Sequence, residues 1–295
     1  MHRKLLGRIE IMHTSTVIGM DEPPVQACRK KPDASVMLAA KTVQQGQSFG
    51  FFSPGNTGAT VASAIMKIGL LPWVKKPAIL TPLPTVRGYT LLLDSGASID
   101  ITPEQFVDLA RLGIAFVNTV FSKKNAAIGL INIGTEHNKG NAQVQKAYAL
   151  LKEAFPSFSG NIEGHDLYSG KTDIVLCDGF VGNIILKLSE GINKEIVKIT
   201  QSRAKRAQKT GNSDIQLKKL EQLEKKTEQR FSRSMRRVTD PENYGGAALL
   251  GINGIVLVGH GKAKSRAVYN AIRNALYYHS RNLVDKLRDT GPDTA

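Results

Sequence analysis

The chain has 295 residues, 41% of them hydrophobic, and a formal charge of +15. That is enough for one large α/β body or two smaller domains, and the charge suits an acidic partner: nucleic acid, an anionic membrane surface, an acidic protein or a phosphorylated substrate. Cys28 and Cys177 form no disulfide framework and no zinc spacing, the basic start at 1–8 leads into no apolar signal core, and the most apolar stretch, 247–258, is glycine-broken and too short to span a bilayer, so a cytoplasmic protein is expected.

Residues 9–13 read as a short strand, followed by a polar stretch in which Arg29, Lys30 and Lys31 form a basic loop. Asp33 or Ser35 is positioned to cap a helix running to about Gln45. Residues 50–52 are apolar and break at Ser53-Pro-Gly-Asn-Thr-Gly-Ala59, from which a helix runs to about Ile68. Strands are expected at 78–80 and 90–93, the second ending in Asp94-Ser-Gly-Ala-Ser-Ile-Asp100. Thr102-Pro-Glu104 is a helix start, with a cap, a proline in the first turn and an acid near the positive end of the dipole.

A strand at 128–133 ends in Gly134-Thr-Glu-His-Asn-Lys-Gly-Asn141, and a helix follows to Phe155. Ile174-Val-Leu-Cys177 is a continuous apolar run, as in a strand buried on both faces. It breaks at Asp178-Gly179, and Gly182-Asn183 open a long apolar helix. A strand passing through a glycine turn into a helix leaves unpaired N–H groups, a natural anion site. A last strand at 254–258 closes on Gly259-His-Gly261, a helix spans about 262–278, and residues 289–295 read as a frayed tail.

The pattern is α/β, a doubly wound and mostly parallel sheet with helices on both faces. In such sheets ligands bind beyond the carboxyl ends of the strands, so the five polar turns are expected along one edge. No Walker A and no dinucleotide fingerprint is present. Residues 189–240 form a separate unit, with 14 Lys/Arg against 7 Asp/Glu. They read as a helical hairpin with one apolar face of Leu188, Ile192, Ile196 and Ile199 and another of Leu220, Leu223, Thr227, Phe231, Met235 and Val238, turning at 211–214. Such a hairpin suits a dimer contact, with its basic face toward a membrane or an acidic protein. The body is expected at 1–188 and 241–288.

Seven stretches, in order, resemble the acyl-acyl carrier protein:phosphate acyltransferases: 53–59, 93–103, 130–141, 160–164, 177–183, 244–251 and 258–261. The resemblance implies a phosphotransacetylase/isocitrate dehydrogenase-like fold and a homodimer. It implies acyl transfer from acyl carrier protein to inorganic phosphate for phospholipid synthesis, with peripheral association at the inner face of the membrane. The family begins with a further βα unit bearing a Gly/Asp-rich motif, and the chain as read starts after it. Pro54 stands where alanine is usual, and Ser95 where glycine or leucine is common.

Phosphate is itself a nucleophile, so the protein has to hold it near the thioester carbonyl and stabilise the oxyanion. Lys139 matches the family's Lys-Gly pair and is taken as the charge on phosphate or thioester; Asn183 either caps its helix or donates an amide to substrate. Ser53, Asn56, Thr57, Gly58, Asp178, Gly179 and Gly182 are the expected substrate and phosphate contacts, the same residues having capping or turn roles as the plainer reading. Asp94 and Asp178 are expected to orient loops. Cys177 reads as a small buried residue, and His137 and His260 as weaker candidates for a general base. No metal and no cofactor is called for. Three alternatives stay open: another enzyme of the same superfold, a catalytically impaired homologue that keeps only binding, and a nucleic-acid binder. Sparse aromatics and the lack of a stacking motif weigh against the last.

Overall fold

The computed structural model describes residues 7–85, 87–209 and 245–292. The helices are α1 Pro24–Lys30, α2 Ser35–Gln44, α3 Thr57–Lys67, α4 Pro103–Phe121, α5 Ala142–Ala154, α6 Gly179–Lys209, α7 Ser265–Ser280 and α8 Leu283–Arg288. The strands are β1 Gly50–Ser53, β2 Ala78–Thr85, β3 Gly88–Leu93, β4 Ile128–Ile131, β5 Phe158–Ile162, β6 Ile174–Leu176, β7 Ala247–Leu250 and β8 Ile255–Val258. They form one sheet in the order β1-β8-β7-β2-β3-β6-β4-β5.

Four pairings are parallel and three, around β7 and β2, are antiparallel. The pairings fix two directions. β1, β8 and β2 run one way; β7, β3, β6, β4 and β5 run the other. The single edge expected for all five turns is therefore corrected: the turns after β1 and β8 open in the opposite direction from those after β3, β6 and β4. The antiparallel hairpin β2–β3 reverses the sheet, and nothing in the strand patterns distinguishes a hairpin from a crossover.

Alternation decides the layers. Leu91, Leu93, Ile174 and Leu176 pack with α4, while Leu92, Val175 and Cys177 pack on the other face with Val181 and Ile185 of α6. Ile174, Val175 and Leu176 are all fully buried, and each such side chain stabilises the fold by about 1.5–3 kcal/mol. β6 is thus the doubly covered central strand that its unbroken apolar run implies. α4 starts as read: Pro103 opens it, and the Gln105 side chain reaches back to accept the Thr102 N–H at 2.8 Å.

Several expectations are corrected. Residues 9–19 are irregular, with Ile9, Ile11 and Met12 exposed; a strand needs a neighbour, and among the described residues none lies alongside. The basic loop contains α1, whose Ala27 and Cys28 are buried. Neither Asp33 nor Ser35 caps α2. Ala34 holds that position, and Asp33 instead accepts the Thr16 hydroxyl at 2.6 Å. β2 continues past 80 because its prolines, Pro82 and Pro84, lie beyond the last residue paired with β7, where a missing N–H loses no ladder bond. β5, β7 and α8 were not read from the sequence. The tail is held as far as Gly291: Trp73 Nε1 donates to the carbonyls of Leu287 and Arg288, and Gly291 is buried against the same ring.

The boundary expected at 188/189 falls inside α6, which runs unbroken through Lys209. The hairpin's turn and second stripe lie outside the described residues. On its exposed side α6 presents Phe180, Ile184, Leu188, Ile192 and Ile199. Among the described residues no helix is long and apolar enough to cross a membrane.

Candidate active site

β6 lies between β3 and β4, all three parallel, so the loops after Leu93, Leu176 and Ile131 emerge side by side. These carry the Asp94 loop, the start of α6 with Asn183, and the turn with Lys139.

Asp94 organises the first loop. Its fully buried carboxylate accepts the backbone N–H groups of Ile79, Gly96, Ala97 and Ser98, at 2.7–3.1 Å. Burial lifts this carboxyl above its ordinary value, and the amide donors pull it back only in part. The folded loop then meets α6: the Ser98 carbonyl accepts the Gly179 N–H at 2.9 Å. Gly182 crosses the Asp94 carbonyl so closely that a Cβ there would stand 1.8 Å from the oxygen. Gly182→Ala should therefore cost about 3 kcal/mol or more, read as a lower urea midpoint; an unchanged midpoint would show that the crossing gives way.

α6 begins at Gly179, three residues earlier than its apolar pattern suggests. Its start is not an open anion site. The Gly179 N–H is taken by Ser98, and the Asp178 carboxylate accepts the Val181 N–H at 2.7 Å, so a protein acid already occupies the positive end of the dipole. Asp178, Gly179 and Gly182 thus have structural tasks: cap, loop contact and close crossing. The same shift removes the capping role for Asn183, which sits in the second turn, is exposed, and has no side-chain hydrogen bond among the described residues. Gly96, at φ 136°, keeps the loop clear of it; a Cβ at Gly96 would lie 3.5 Å from that of Asn183.

Lys139 is on the adjacent turn. Its side chain is about half exposed, and its nearest acid is Glu136 at a loose 3.9 Å. Its stem lies over Gly134, where a Cβ would fall 3.0 Å from Lys139 Cγ.

Asp94, Asp178, Asn183 and Lys139 therefore lie on three neighbouring strand ends, two as loop organisers and two with unspent polar groups. The model of the family described as fatty acid synthesis protein matches residues 2–286. A phosphate acyltransferase of Elusimicrobium minutum is 39% identical over 270 residues, covering 92% of this chain and 76% of that relative. One from Moorella thermoacetica is 39% identical over 283 residues, 96% of this chain and 80% of its own. The chain belongs to the phosphate acyltransferase family. Among solved structures, a phosphotransacetylase from Streptococcus pyogenes superposes with a TM-score of 0.55 at 15% identity, covering 88% of this chain and 70% of its own. Another from Staphylococcus aureus gives 0.52 at 12% identity, with the same coverage. They show that this phosphate acyltransferase family member has a phosphotransacetylase-like fold.

The Ser53–Gly58 turn of the acyltransferase stands apart from these loops, at the end of β1. Ser53 is buried, and its hydroxyl accepts from Thr60 Oγ1 at 3.0 Å. Asn56 caps α3 through Ala59 N–H and tethers the carbonyls of Gly19 and Met20. Gly58 lets α1 approach, since a Cβ would meet Pro24 at 2.5 Å. Thr57 remains exposed. Cys177 is buried, its thiol raised well above the ordinary range by burial first and then by Asp94 and Asp178, so it is no nucleophile at neutral pH. His260 is exposed and accepts the Lys262 N–H at 3.1 Å, a turn contact; His137 is exposed in the Lys139 turn. Sequence reasoning treated Asp94 only as a loop organiser and overlooked Asn161. Asn161, in β5, donates to the Glu136 carbonyl at 2.7 Å, and it sits in the motif at 160–164 that the resemblance had already singled out.

Proposed function

We propose that this chain transfers a fatty acyl group from the thioester of acyl carrier protein to inorganic phosphate, releasing an acyl-phosphate for phospholipid synthesis. Membership of the phosphate acyltransferase family supports the reaction class. The observation that carries the reading within the molecule is the adjacency of β3, β6 and β4, which sets the Asn183 and Lys139 loops side by side.

A phosphate oxygen attacks the thioester carbonyl, the C–O bond forms as the π electrons move to oxygen, and the tetrahedral centre collapses with departure of the carrier thiolate, which takes up a proton. Phosphate supplies the nucleophile, so no enzyme acyl intermediate is needed. Lys139 supplies positive charge to the phosphate or the developing oxyanion. Asn183 donates its amide N–H to the same centre. Neither role needs a metal or cofactor. The Asp94 loop and the Asp178 cap hold α6, and hence Asn183, in place. Thr57, exposed on the β1 turn that opens the other way, is given no part in this step.

The net charge of +15 favours an acidic carrier protein and an anionic membrane. The exposed apolar stripe of α6, with Lys187 and Lys198 on the same helix, supports peripheral membrane contact and a homodimer. No nucleic-acid role is proposed. The chain incubated with acyl carrier thioester and phosphate should form acyl-phosphate in a phosphate-dependent manner, run as a dimer on sizing, and sediment with anionic vesicles. A folded protein with no phosphate-dependent thioester loss sinks the catalytic reading; a monomer, or one that stays in the supernatant, sinks the corresponding assembly or membrane reading.

A further inference from the structure

We infer that Asn132, Gln145 and Asn161 act together as a clamp that positions Lys139, making them positioning residues for acyl transfer. The inference rests on the reading that Lys139 works at the reacting centre.

Three side-chain amides, each from a different element, grip the carbonyls of one short turn. Asn161 Nδ2, from β5, donates to the Glu136 carbonyl at 2.7 Å. Gln145 Nε2, from α5, donates to those of Asn138 and Gly140 at 2.7 and 3.0 Å. Asn132 Nδ2, just past β4, donates to that of Lys139 at 3.1 Å, while its own oxygen accepts the Ile133 N–H at 2.8 Å. The Glu136 carbonyl also accepts the Lys139 N–H at 3.1 Å, so Asn161 and the Lys139 backbone meet at one oxygen. Gly140, at φ +85°, admits Asn132; a Cβ there would fall 2.8 Å from its oxygen.

The peptide plane gives this arrangement a consequence. C=O and N–H of a trans unit point opposite ways. Each carbonyl held by the clamp therefore points the following N–H away from the amide that holds it, at His137, Gly140 and Asn141; the Lys139 N–H is spent on the Glu136 carbonyl. The turn's carbonyls are occupied by protein amides at the surface, and the N–H groups that face away from them suit an oxyanion.

Asn161 makes a purely packing role a poor account. It is 6% exposed, and its Oδ1 accepts no hydrogen bond among the described residues. An amide buried with one end unsatisfied is costly, and the bond it makes in return is the one to the Lys139 turn.

The test uses Gln145→Ala and Asn161→Leu in the full chain, each with and without Lys139→Ala. Each is expected to lower kcat about tenfold, by the misplacement of one group, with KM for the acyl carrier unchanged and faster hydrogen exchange over residues 133–141. In the Lys139→Ala background each should lower the residual rate by less than twofold. Parental kcat in the folded variants overturns the clamp, as does a loss that persists at full size without Lys139. Gln145 is exposed, so its variant decides the matter if Asn161→Leu does not fold. Should Lys139→Ala itself run at the parental rate, the site reading fails first and the clamp with it; a rate-deficient Lys139→Ala beside unaffected clamp variants removes the clamp alone.

Discussion

Lys139→Ala lowers the rate of acyl-phosphate formation by about 10²–10³-fold, the usual cost of one charge-stabilising donor, and leaves the fold intact. The two halves of this result come from different observations. The rate falls because Lys139 is the cation of the turn beside the α6 start, and a developing oxyanion or a bound phosphate has to be met by positive charge. Stability holds because the side chain is about half exposed and its contact with Glu136, 3.9 Å away and itself exposed, is a surface ion pair worth at most about 1 kcal/mol. The melting temperature should then move by no more than about 3 °C. Steady-state assays alongside thermal unfolding check both halves. A parental rate would take Lys139 out of the site, and a collapse of the fold would mean that the loose ion pair and the stem over Gly134 matter far more than their exposure implies.

Asp94→Ala has the largest expected effect on stability. Four backbone N–H groups lose the acceptor they share, two of them, those of Ile79 and Ser98, buried and the other two partly so. Each unsatisfied donor costs about 1–3 kcal/mol, so even with partial relaxation the loss is about 4 kcal/mol or more. Activity should fall further than stability, because the same loop presents the Ser98 carbonyl to Gly179 and places Gly96 beneath Asn183. Asp94→Asn keeps the shape but turns an N–H₂ toward one set of donors, and should fall between the two. The pH dependence has a definite sign. The folded carboxyl holds its proton more tightly than the unfolded one, so the stability it contributes is complete below the ordinary aspartate range and fades as pH rises through the raised value. Asp94→Asn should flatten that part of the curve. Urea titrations of the three proteins across pH are the measurement; an alanine variant within 1 kcal/mol of the parent would mean that the loop stands without its carboxylate.

The two aspartates that organise the loops, Asp94 and Asp178, were readable as such because an acid beside a phosphate site is repelled unless it is spent elsewhere. Lys139 stood out because glycines flank it in a strand-end turn, and Asn183 because it follows a glycine at a helix start. The amides that hold the Lys139 turn were not readable in the same way. Asn132, Gln145 and Asn161 lie up to 29 positions apart in the chain, and only the pairing of β4 with β5 and the packing of α5 bring them to one set of carbonyls.

The same division runs through the whole molecule. Local physics determined α2 to α5 and α7, the doubly covered β6, the glycine turns and the family to which the chain belongs, since period and motif order are properties of neighbours in sequence. Strand direction was left to tertiary structure. A short apolar run pairs equally well either way, and the β2–β3 hairpin, lacking a distinctive turn signal, divides the expected single edge in two. The start of α6 was decided there too. Its N–H groups looked open to an anion until the Ser98 carbonyl, 81 residues upstream, and the Asp178 carboxylate were found on them. The Asp178 cap is local, but a buried donor such as the Gly179 N–H takes whichever acceptor the fold brings near, and a partner 81 residues away cannot be read from its own stretch of chain.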